Sequence, residues 1–186
     1  MDIFEAIHTR QSIPKVKPDP VPRELIERVL EAAVQAPNHH KVRPWRFVVL
    51  TGSARERLGE VMAASLHRRD PNATDDALNK ERAKMLRAPV VIAVGVSKPT
   101  LPKELEIENV CAAAAATQNL LLAAHALGLG AMWRTGSAAF DPAAKTFLGF
   151  GPDQHVIAFV YVGYPESVAT PPSRPSYTDR TVWLER

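Results

Sequence analysis

Two kinds of hydrophobic pattern alternate along this chain and predict its secondary structure. In some segments apolar residues recur every three or four positions, which is typical of helices that bury one face. In others, apolar and mostly β-branched residues follow one another, which is typical of buried strands. Helices are predicted over residues 2–10, 21–36, 52–69, a segment ending near Arg87, 103–127 and 141–150. Strands are predicted over residues 45–50, 88–97, 131–136 and 154–165.

Helix boundaries are predicted from the residues that flank these patterns. Asp2 and Ser53 stand where N-caps are expected, because their side-chain oxygens can accept the first free amides of a helix. Pro22 falls in the first turn of the second helix and Pro37 follows its end. The polar stretch over residues 70–82 is predicted to be a loop leading into the next helix.

The order of these elements predicts one domain, residues 1–186, built on a mixed sheet with helices on both faces. The helix over residues 103–127 is apolar nearly all round after Asn109, so we expect it to be buried. The chain ends in a proline-rich arm, about residues 165–186. Because the arm carries Val182, Trp183 and Leu184, we expect it to pack on another surface, with a second subunit as one candidate.

Composition and charge narrow the function classes. The chain is 46% hydrophobic and 23% charged with a formal charge of +3, which is ordinary for a globular protein. Its lysines and arginines are spread along the chain, whereas a nucleic-acid-binding protein usually clusters them on one face. The most apolar stretch, residues 110–127, contains Thr117, Gln118, Asn119 and His125, which argues against a membrane span.

The cysteine count and the N-terminus bear on the compartment. Cys111 is the only cysteine, which excludes an intramolecular disulfide and a cysteine-rich zinc site. The first ten residues contain acids and lack the apolar core of a signal peptide. A reducing, cytoplasmic environment is therefore expected.

Motifs of the common enzyme classes are missing from the sequence. There is no G-x-S-x-G elbow and no phosphate-binding Walker loop, and "GLGAMW" has only two glycines of the dinucleotide fingerprint. Cys111 lies within a predicted helix, where a structural thiol is the simpler interpretation. His39 and His40 are adjacent, and no helical pair of histidines accompanies them, so no metal site is predicted.

Three segments instead combine donors and rings that suit an anion or a planar ligand, a fourth is a run of alanines, and each has a plainer interpretation. In "HTRQS", Arg10 and Ser12 suit a phosphate, but by spacing alone a solvated helix end is the favoured interpretation. In "AMWRTG", an aromatic ring and an arginine precede Gly136, or the segment is a strand with one core aromatic. The basic loop "NHHKVR" can contact a metal, an anion, a planar ligand or only solvent. The five alanines of residues 112–116 fit core packing or a dimer interface.

Taken together, these segments resemble the nitroreductase family of flavin enzymes, most closely its minimal, short-chain branch. The resemblance covers nearly the whole chain. It rests on the order and spacing of "IHTRQS", "APNHHKVRPWRFVVL", "AAATQNLLLAAHALGLGAMWRTG" and "VIAFVYVGYPE". It implies an α+β fold with a central mixed, mainly antiparallel sheet flanked by helices, assembled as an intertwined homodimer with FMN at its interface.

The resemblance also implies roles for individual residues. Residues that match flavin-binding positions of one subunit are Arg10, Gln11, Ser12, Trp133, Arg134 and Thr135. Gln35 and His39 match positions that reach the flavin of the partner subunit. A weaker match assigns Ala123, Ala124, His125, Ala126, Leu127 and Gly128 to the nicotinamide nucleotide. No catalytic side chain and no metal are implied.

The chain departs from the family pattern at two places. Pro14 stands where the family often has a second arginine, so another base is expected to help hold the phosphate, and Arg174 is the candidate after the last strand. The loop "NHHKVR" replaces a more usual serine or asparagine cluster, and the role of His40 is left open.

The implied reaction is electron transfer from NADH or NADPH, through FMN, to a nitroaromatic, a quinone or a similar acceptor by a ping-pong mechanism. The hard chemistry would belong to the flavin, which accounts for the missing acid–base motif. Two alternatives stay open: a same-fold flavoenzyme with another reaction, such as dehalogenation or flavin breakdown, and a non-catalytic flavin carrier. The preference for NADH or NADPH and the physiological acceptor do not follow from the sequence.

Overall fold

The structure is a computed structural model that describes residues 1–167, 170–171 and 173–185. Its helices are α1 (Ile3–Thr9), α2 (Arg23–Ala33), α3 (Ser53–Arg69), α4 (Asp75–Ala83), α5 (Glu106–Ala126) and α6 (Pro142–Phe147). Its strands are β1 (Trp45–Thr51), β2 (Val90–Val96), β3 (Gly130–Arg134) and β4 (His155–Gly163). Short 3-10 turns lie at His39–Lys41, Lys84–Leu86, Ser137–Ala139 and Thr178–Arg180.

The four strands form one sheet in the order β1-β2-β4-β3. All three pairings of these described strands are antiparallel, which confirms the α+β class and the mainly antiparallel sheet. Every residue of β2 is buried, as predicted for a central strand. The register between β2 and β4 shifts at Val94/Gly95, where a Cβ on Gly95 would lie 2.2 Å from the ring of Phe150.

Helices cover both faces of the sheet, as predicted. On one face α2 and α5 enclose a core that includes Val29, Ile92 and Leu120. On the other face α3 and α6 enclose a second core that includes Leu58 and Phe159. The sheet is therefore buried on both sides, and its two edges, β1 and β3, are the places where its backbone can meet other groups.

Several predicted helix boundaries were wrong, each for a local reason. The stretch predicted as a loop contains α4, because Thr74 caps it by accepting the amide of Ala77. Ser53 is the first helical residue of α3 and makes no cap bond, since Gly52 with φ of 50° takes the cap position. Pro22 caps α2 rather than lying inside it, and α2 ends at Ala33, with turns leading to Pro37.

The long helix α5 differs from its prediction in burial. It begins at Glu106, three residues later than predicted, and one of its faces packs on the sheet. On the opposite side Ile107 is 63% exposed, and Cys111 is exposed too. An apolar face of α5 therefore stays open in a single chain. Neither α5 nor any other helix of the described ranges has the length and apolar character that crossing a membrane requires.

The apolar end of the C-terminal arm does not pack on its own chain. Val182, Trp183 and Leu184 are 82%, 76% and 90% exposed. Residues 168–169, 172 and 186 of the predicted arm lie outside the described residues. The expectation that the arm packs on a partner subunit is not tested by one chain and stays a prediction.

Candidate functional site

The segment that follows α1 runs along the outer edge of β3. The amide of Ile13 donates to the carbonyl of Ala131 at 3.0 Å, so residues 10–13 are fixed beside the start of this edge strand. A Cβ on Gly130 would lie 2.9 Å from the side chain of Ile13, so a glycine at this position allows the close approach. Arg10, Gln11 and Ser12 are thereby held at one end of β3.

Two arginines lie near each other at this end of the strand. Nη2 of Arg174 donates to the carbonyl oxygen of Arg10 at 3.0 Å. Burial lowers the pKa of Arg10, and the nearby guanidinium of Arg174 lowers it further. Within the described ranges neither guanidinium has an acidic partner. Two unneutralised cations that converge in this way suit a phosphate, whose oxygens can accept from both.

The other residues of the predicted phosphate motif behave differently. Nε2 of Gln11 donates to the carbonyl oxygen of Thr170 at 2.9 Å, so Gln11 ties the motif to the C-terminal arm. Ser12 is exposed and its hydroxyl makes no hydrogen bond to a described residue. The structure thus brings Arg10, Gln11 and Arg174 together and leaves the Ser12 hydroxyl free for a ligand.

A cavity of about 500 Å³ opens beside this motif. Its lining includes Thr9, Lys17, His125 and Glu166. Oγ1 of Thr9 lies 2.8 Å from Nε2 of His125 and links α1 to the last turn of α5. Burial lowers the pKa of His125, and the charge of Arg10 lowers it further, so the ring belongs to the surroundings of the arginine pair.

The stretch predicted for the nicotinamide nucleotide, residues 123–128, does not form one surface. Ala124 is fully buried in the core. Ala123 and Ala126 line a shallow groove on the side of Gln35. From this stretch only His125 and Gly128 line the cavity beside the phosphate motif. The contact of this stretch with the nicotinamide nucleotide stays a prediction. Because its residues face different surroundings, they cannot all contact one nucleotide.

The segment Trp133–Thr135 lies at the far end of β3. Nε1 of Trp133 donates to the carbonyl oxygen of Ile157 at 3.0 Å, and the hydroxyl of Thr135 donates to the same oxygen at 3.5 Å. Because side chains alternate along a strand, Arg134 points to the opposite face. The tryptophan ring is thus fixed by the sheet, while the arginine is free to face a ligand.

Arg134 lines a second cleft of about 390 Å³ with residues that sequence reasoning missed: Glu81, Lys84, Arg87 and Tyr161. Lys84 pairs with the buried carboxylate of Glu81, and the hydroxyl of Tyr161 donates to Sδ of Met85 at 3.5 Å. Burial raises the pKa of Tyr161, which keeps its hydroxyl protonated. These residues come from three separate elements, so the only signal in the sequence is the basic run "ERAKMLR", which lies where a loop was predicted to lead into a helix ending near Arg87.

Gln35 and His39 do not join the phosphate motif within one chain. Gln35 lies near Met1 and Ile3, at the beginning of α1, whereas Arg10 follows its end. A helix of seven residues separates the two positions by roughly 10 Å. Gln35 lines a groove beside Met1 and Ile3, whereas Gln11 of the phosphate motif lines the cavity beside His125. The expectation that Gln35 and His39 reach the flavin of a partner subunit stays a prediction.

The loop that carries His39 has an unusual backbone. His40, Lys41 and Arg43 have φ of 52°, 56° and 51°, a region that costs residues with a side chain roughly 1–2 kcal/mol each. Oδ1 of Asn38 accepts the amide of Arg43 at 2.8 Å and closes the loop. The described residues contain no group of three or more His, Cys, Asp or Glu side chains that could hold a metal.

Comparisons with known proteins agree with this architecture. The profile described as "Nitroreductase family" matches residues 7–164. A candidate NAD(P)H nitroreductase of Haemophilus influenzae is 33% identical over 165 residues, which is 88% of each chain. Residues 7–164 are most of the chain, so the protein belongs to the nitroreductase family.

Solved structures extend the comparison. A nitroreductase-like protein of Bacillus cereus shares the fold with a TM-score of 0.85 at 24% identity, over 100% of this chain and 97% of the other. A candidate nitroreductase of Desulfovibrio desulfuricans was solved in complex with FMN; its TM-score is 0.76 at 27% identity, over 100% and 98% of the two chains. The resemblance of the sequence to the nitroreductase family is confirmed.

Proposed function

We propose that the protein is an FMN-dependent oxidoreductase that takes electrons from NADH or NADPH and passes them to a nitroaromatic, a quinone or a similar small acceptor. The observation that carries the proposal is the converging pair of unneutralised arginines, Arg10 and Arg174, at one end of an edge strand whose other end holds Trp133–Thr135. Family membership and the FMN bound in the Desulfovibrio desulfuricans protein support it.

The residues fit FMN along the whole strand. The guanidinium pair suits the phosphate, and the distance along β3 from Ala131 to Thr135 is about 14 Å at the usual rise of a strand, enough for an extended ligand. At the far end the cleft lined by Arg87 and Arg134 offers donors that suit a planar heterocycle with carbonyl oxygens.

Bound FMN supplies the hydride and electron transfer, and the protein supplies binding, orientation and charge. Arg10 and Arg174 hold the phosphate end and neutralise its charge. The hydrogen bonds of Trp133 and Thr135 to Ile157 keep the ring-binding segment rigid. Lys84 is paired with Glu81, but Arg87 and Arg134 leave net positive charge around one cleft, which favours a ligand that gains negative charge on reduction.

The proposed site is shared between two copies of the chain. The open surface of α1 and α5 is apolar; Phe4, for example, is 71% exposed. Its burial against a second copy would bring Gln35 and His39 to the partner's flavin, and the apolar end of the arm, Val182–Leu184, would pack on that partner. Exposed apolar area of this kind marks an interaction surface. A cytoplasmic location stays a prediction that rests on the sequence.

Donor and acceptor are proposed to use one pocket in turn. This chemistry needs no acid–base pair of carboxylates or histidines, since each half-reaction is a transfer of electrons to or from the cofactor. The expected kinetics are ping-pong.

The decisive experiment is anaerobic. The FMN-loaded protein should lose its visible flavin absorbance on addition of NADH or NADPH and regain it on addition of a quinone or a nitroaromatic. A flavin that stays oxidised under excess of both nucleotides would refute the oxidoreductase and leave a carrier. Reduction without reoxidation by either acceptor would redirect the proposal to another reaction of the same fold.

Mixed dimers test the shared site. Suppose that Arg10→Ala and His39→Ala chains each bind FMN poorly and are co-expressed with different tags. A site built from two subunits gives mixed dimers with one intact site, which should hold about half the wild-type flavin. A site built from one chain gives no intact site, and mixed dimers without regained flavin would exclude the shared arrangement.

A further inference from the structure

We propose that His125 is a third ligand of the cofactor phosphate, with Nδ1 as its donor atom, beside Arg10 and Arg174. This inference rests on the proposed binding of FMN and goes beyond it. It assigns to His125 a contact with the flavin phosphate rather than with the nicotinamide nucleotide, and it supplies the base that the proline at position 14 cannot provide.

The hydrogen bonds of Thr9 fix which ring nitrogen carries a proton. The hydroxyl of Thr9 donates its single proton to the carbonyl oxygen of Glu5, at 2.7 Å. In the contact of 2.8 Å between Oγ1 of Thr9 and Nε2 of His125, the ring nitrogen must therefore donate and the hydroxyl oxygen accept. Nε2 is protonated in both charge states, and Nδ1 is the atom that gains or loses a proton.

The position of the ring places it beside the proposed phosphate site. His125 lies in the last turn of α5, where the helix dipole favours a cation. Its ring contacts Thr9, and Thr9 is the residue that directly precedes Arg10 in the chain. It also lines the cavity of about 500 Å³ next to this motif. Nδ1 makes no hydrogen bond to a described residue, so it is available to a ligand.

The charged groups around the ring define its response to an anion. Arg10 and Glu5 face it from α1, and Lys17 and Glu166 share its cavity, with Arg174 beyond Arg10. Without a ligand, burial and Arg10 lower the pKa of His125, so the ring is neutral at neutral pH. A phosphate bound by Arg10 would neutralise that repulsion and favour the protonated ring.

This geometry makes flavin binding depend on pH with a defined sign. The pKa of His125 is higher in the bound state than in the free state, so binding takes up a proton between the two values. The contribution of His125 to affinity is present below the free-state pKa and is lost as the pH rises through the bound-state pKa. The flavin phosphate itself titrates near pH 6, so the effect must be measured against a variant without the histidine.

The test compares FMN with riboflavin, which has the same ring and no phosphate. FMN-stripped protein is titrated with each ligand at pH 6.5 and pH 8.5, for the wild type and for His125→Gln. We expect His125→Gln to weaken FMN binding about tenfold at pH 6.5, and less at pH 8.5, and to leave riboflavin binding unchanged. Equal losses for both flavins, or no loss for FMN, would overturn the inference, because a merely structural histidine acts on both ligands alike.

A spectroscopic arm separates this inference from the proposed function. The pKa of His125 is measured by NMR, with His125→Gln to assign the resonance, before and after addition of inorganic phosphate. A rise in the pKa supports the inference, and an unmoved pKa overturns it. Failure of both flavins to bind would contradict the proposed function, and the phosphate titration would still decide the role of His125.

Discussion

Replacing Arg10 by methionine removes one of two like charges that the folded chain holds together without an acidic partner among its described residues. In the flavin-free protein this change should relieve repulsion, since burial and Arg174 both lower the pKa of Arg10. Methionine keeps most of the apolar stem. The stability of the flavin-free protein should therefore stay within about 0.5 kcal/mol of the wild type or rise slightly.

The same change should weaken FMN binding strongly. Removal of one partner of a buried charge pair costs roughly 2–5 kcal/mol. Arg10 is only partly buried and Arg174 stays in place, so the lower end of that range applies. A loss of about 2 kcal/mol corresponds to roughly a 30-fold rise in the dissociation constant.

The assay is a fluorescence titration of flavin-free protein with FMN, combined with urea unfolding of the same preparations. Arg57→Met is the matched control, because Arg57 is exposed on α3, away from both ends of β3. Unchanged FMN affinity in Arg10→Met would refute the assignment of the phosphate site. A loss of affinity matched by an equal loss of folding stability would refute the argument from repulsion.

Three further predictions concern packing and assembly. Gly59→Val should destabilise the protein by about 1–3 kcal/mol in urea unfolding, because even a Cβ at this position would lie 2.5 Å from the carbonyl oxygen of Arg82; an unchanged midpoint would contradict the close crossing of α3 and α4. Asp141→Ala should cost about 2 kcal/mol, since the buried carboxylate accepts two amides at the start of α6 and the hydroxyl of Ser65; a change below 0.5 kcal/mol, the usual scatter of surface substitutions, would refute that role. Trp183→Ser should raise the dimer dissociation constant at least about tenfold in sedimentation experiments, and no change would show that the arm does not pack on the partner.

The elements with strong periodicity could be predicted from the sequence, and those governed by caps could not. The apolar run of β2 and the helical pattern of α5 were found because burial leaves a direct trace in residue type. The hydrophobic pattern of α4 is weak, and a single cap at Thr74 decides where that helix begins. The partial exposure of α5 was missed because an exposed apolar face looks the same in sequence as a face in the core.

The candidate site shows the same division. Arg10 and Trp133 were located because short motifs surround them, and the structure sets them at opposite ends of one strand. Lys84 and Tyr161 were missed because only the folded sheet brings them to the same cleft. The role proposed for His125 depends on which acceptor takes the proton of the Thr9 hydroxyl, and the spacing of residues does not record this geometry.

The absorbance spectrum of the purified protein, with its flavin content, tests the central claim most directly. The proposed site predicts a yellow protein with the visible bands of flavin and about one FMN per chain after gel filtration, because a pocket with a paired cationic anchor retains its cofactor. A colourless protein that also fails to take up added FMN would contradict the account.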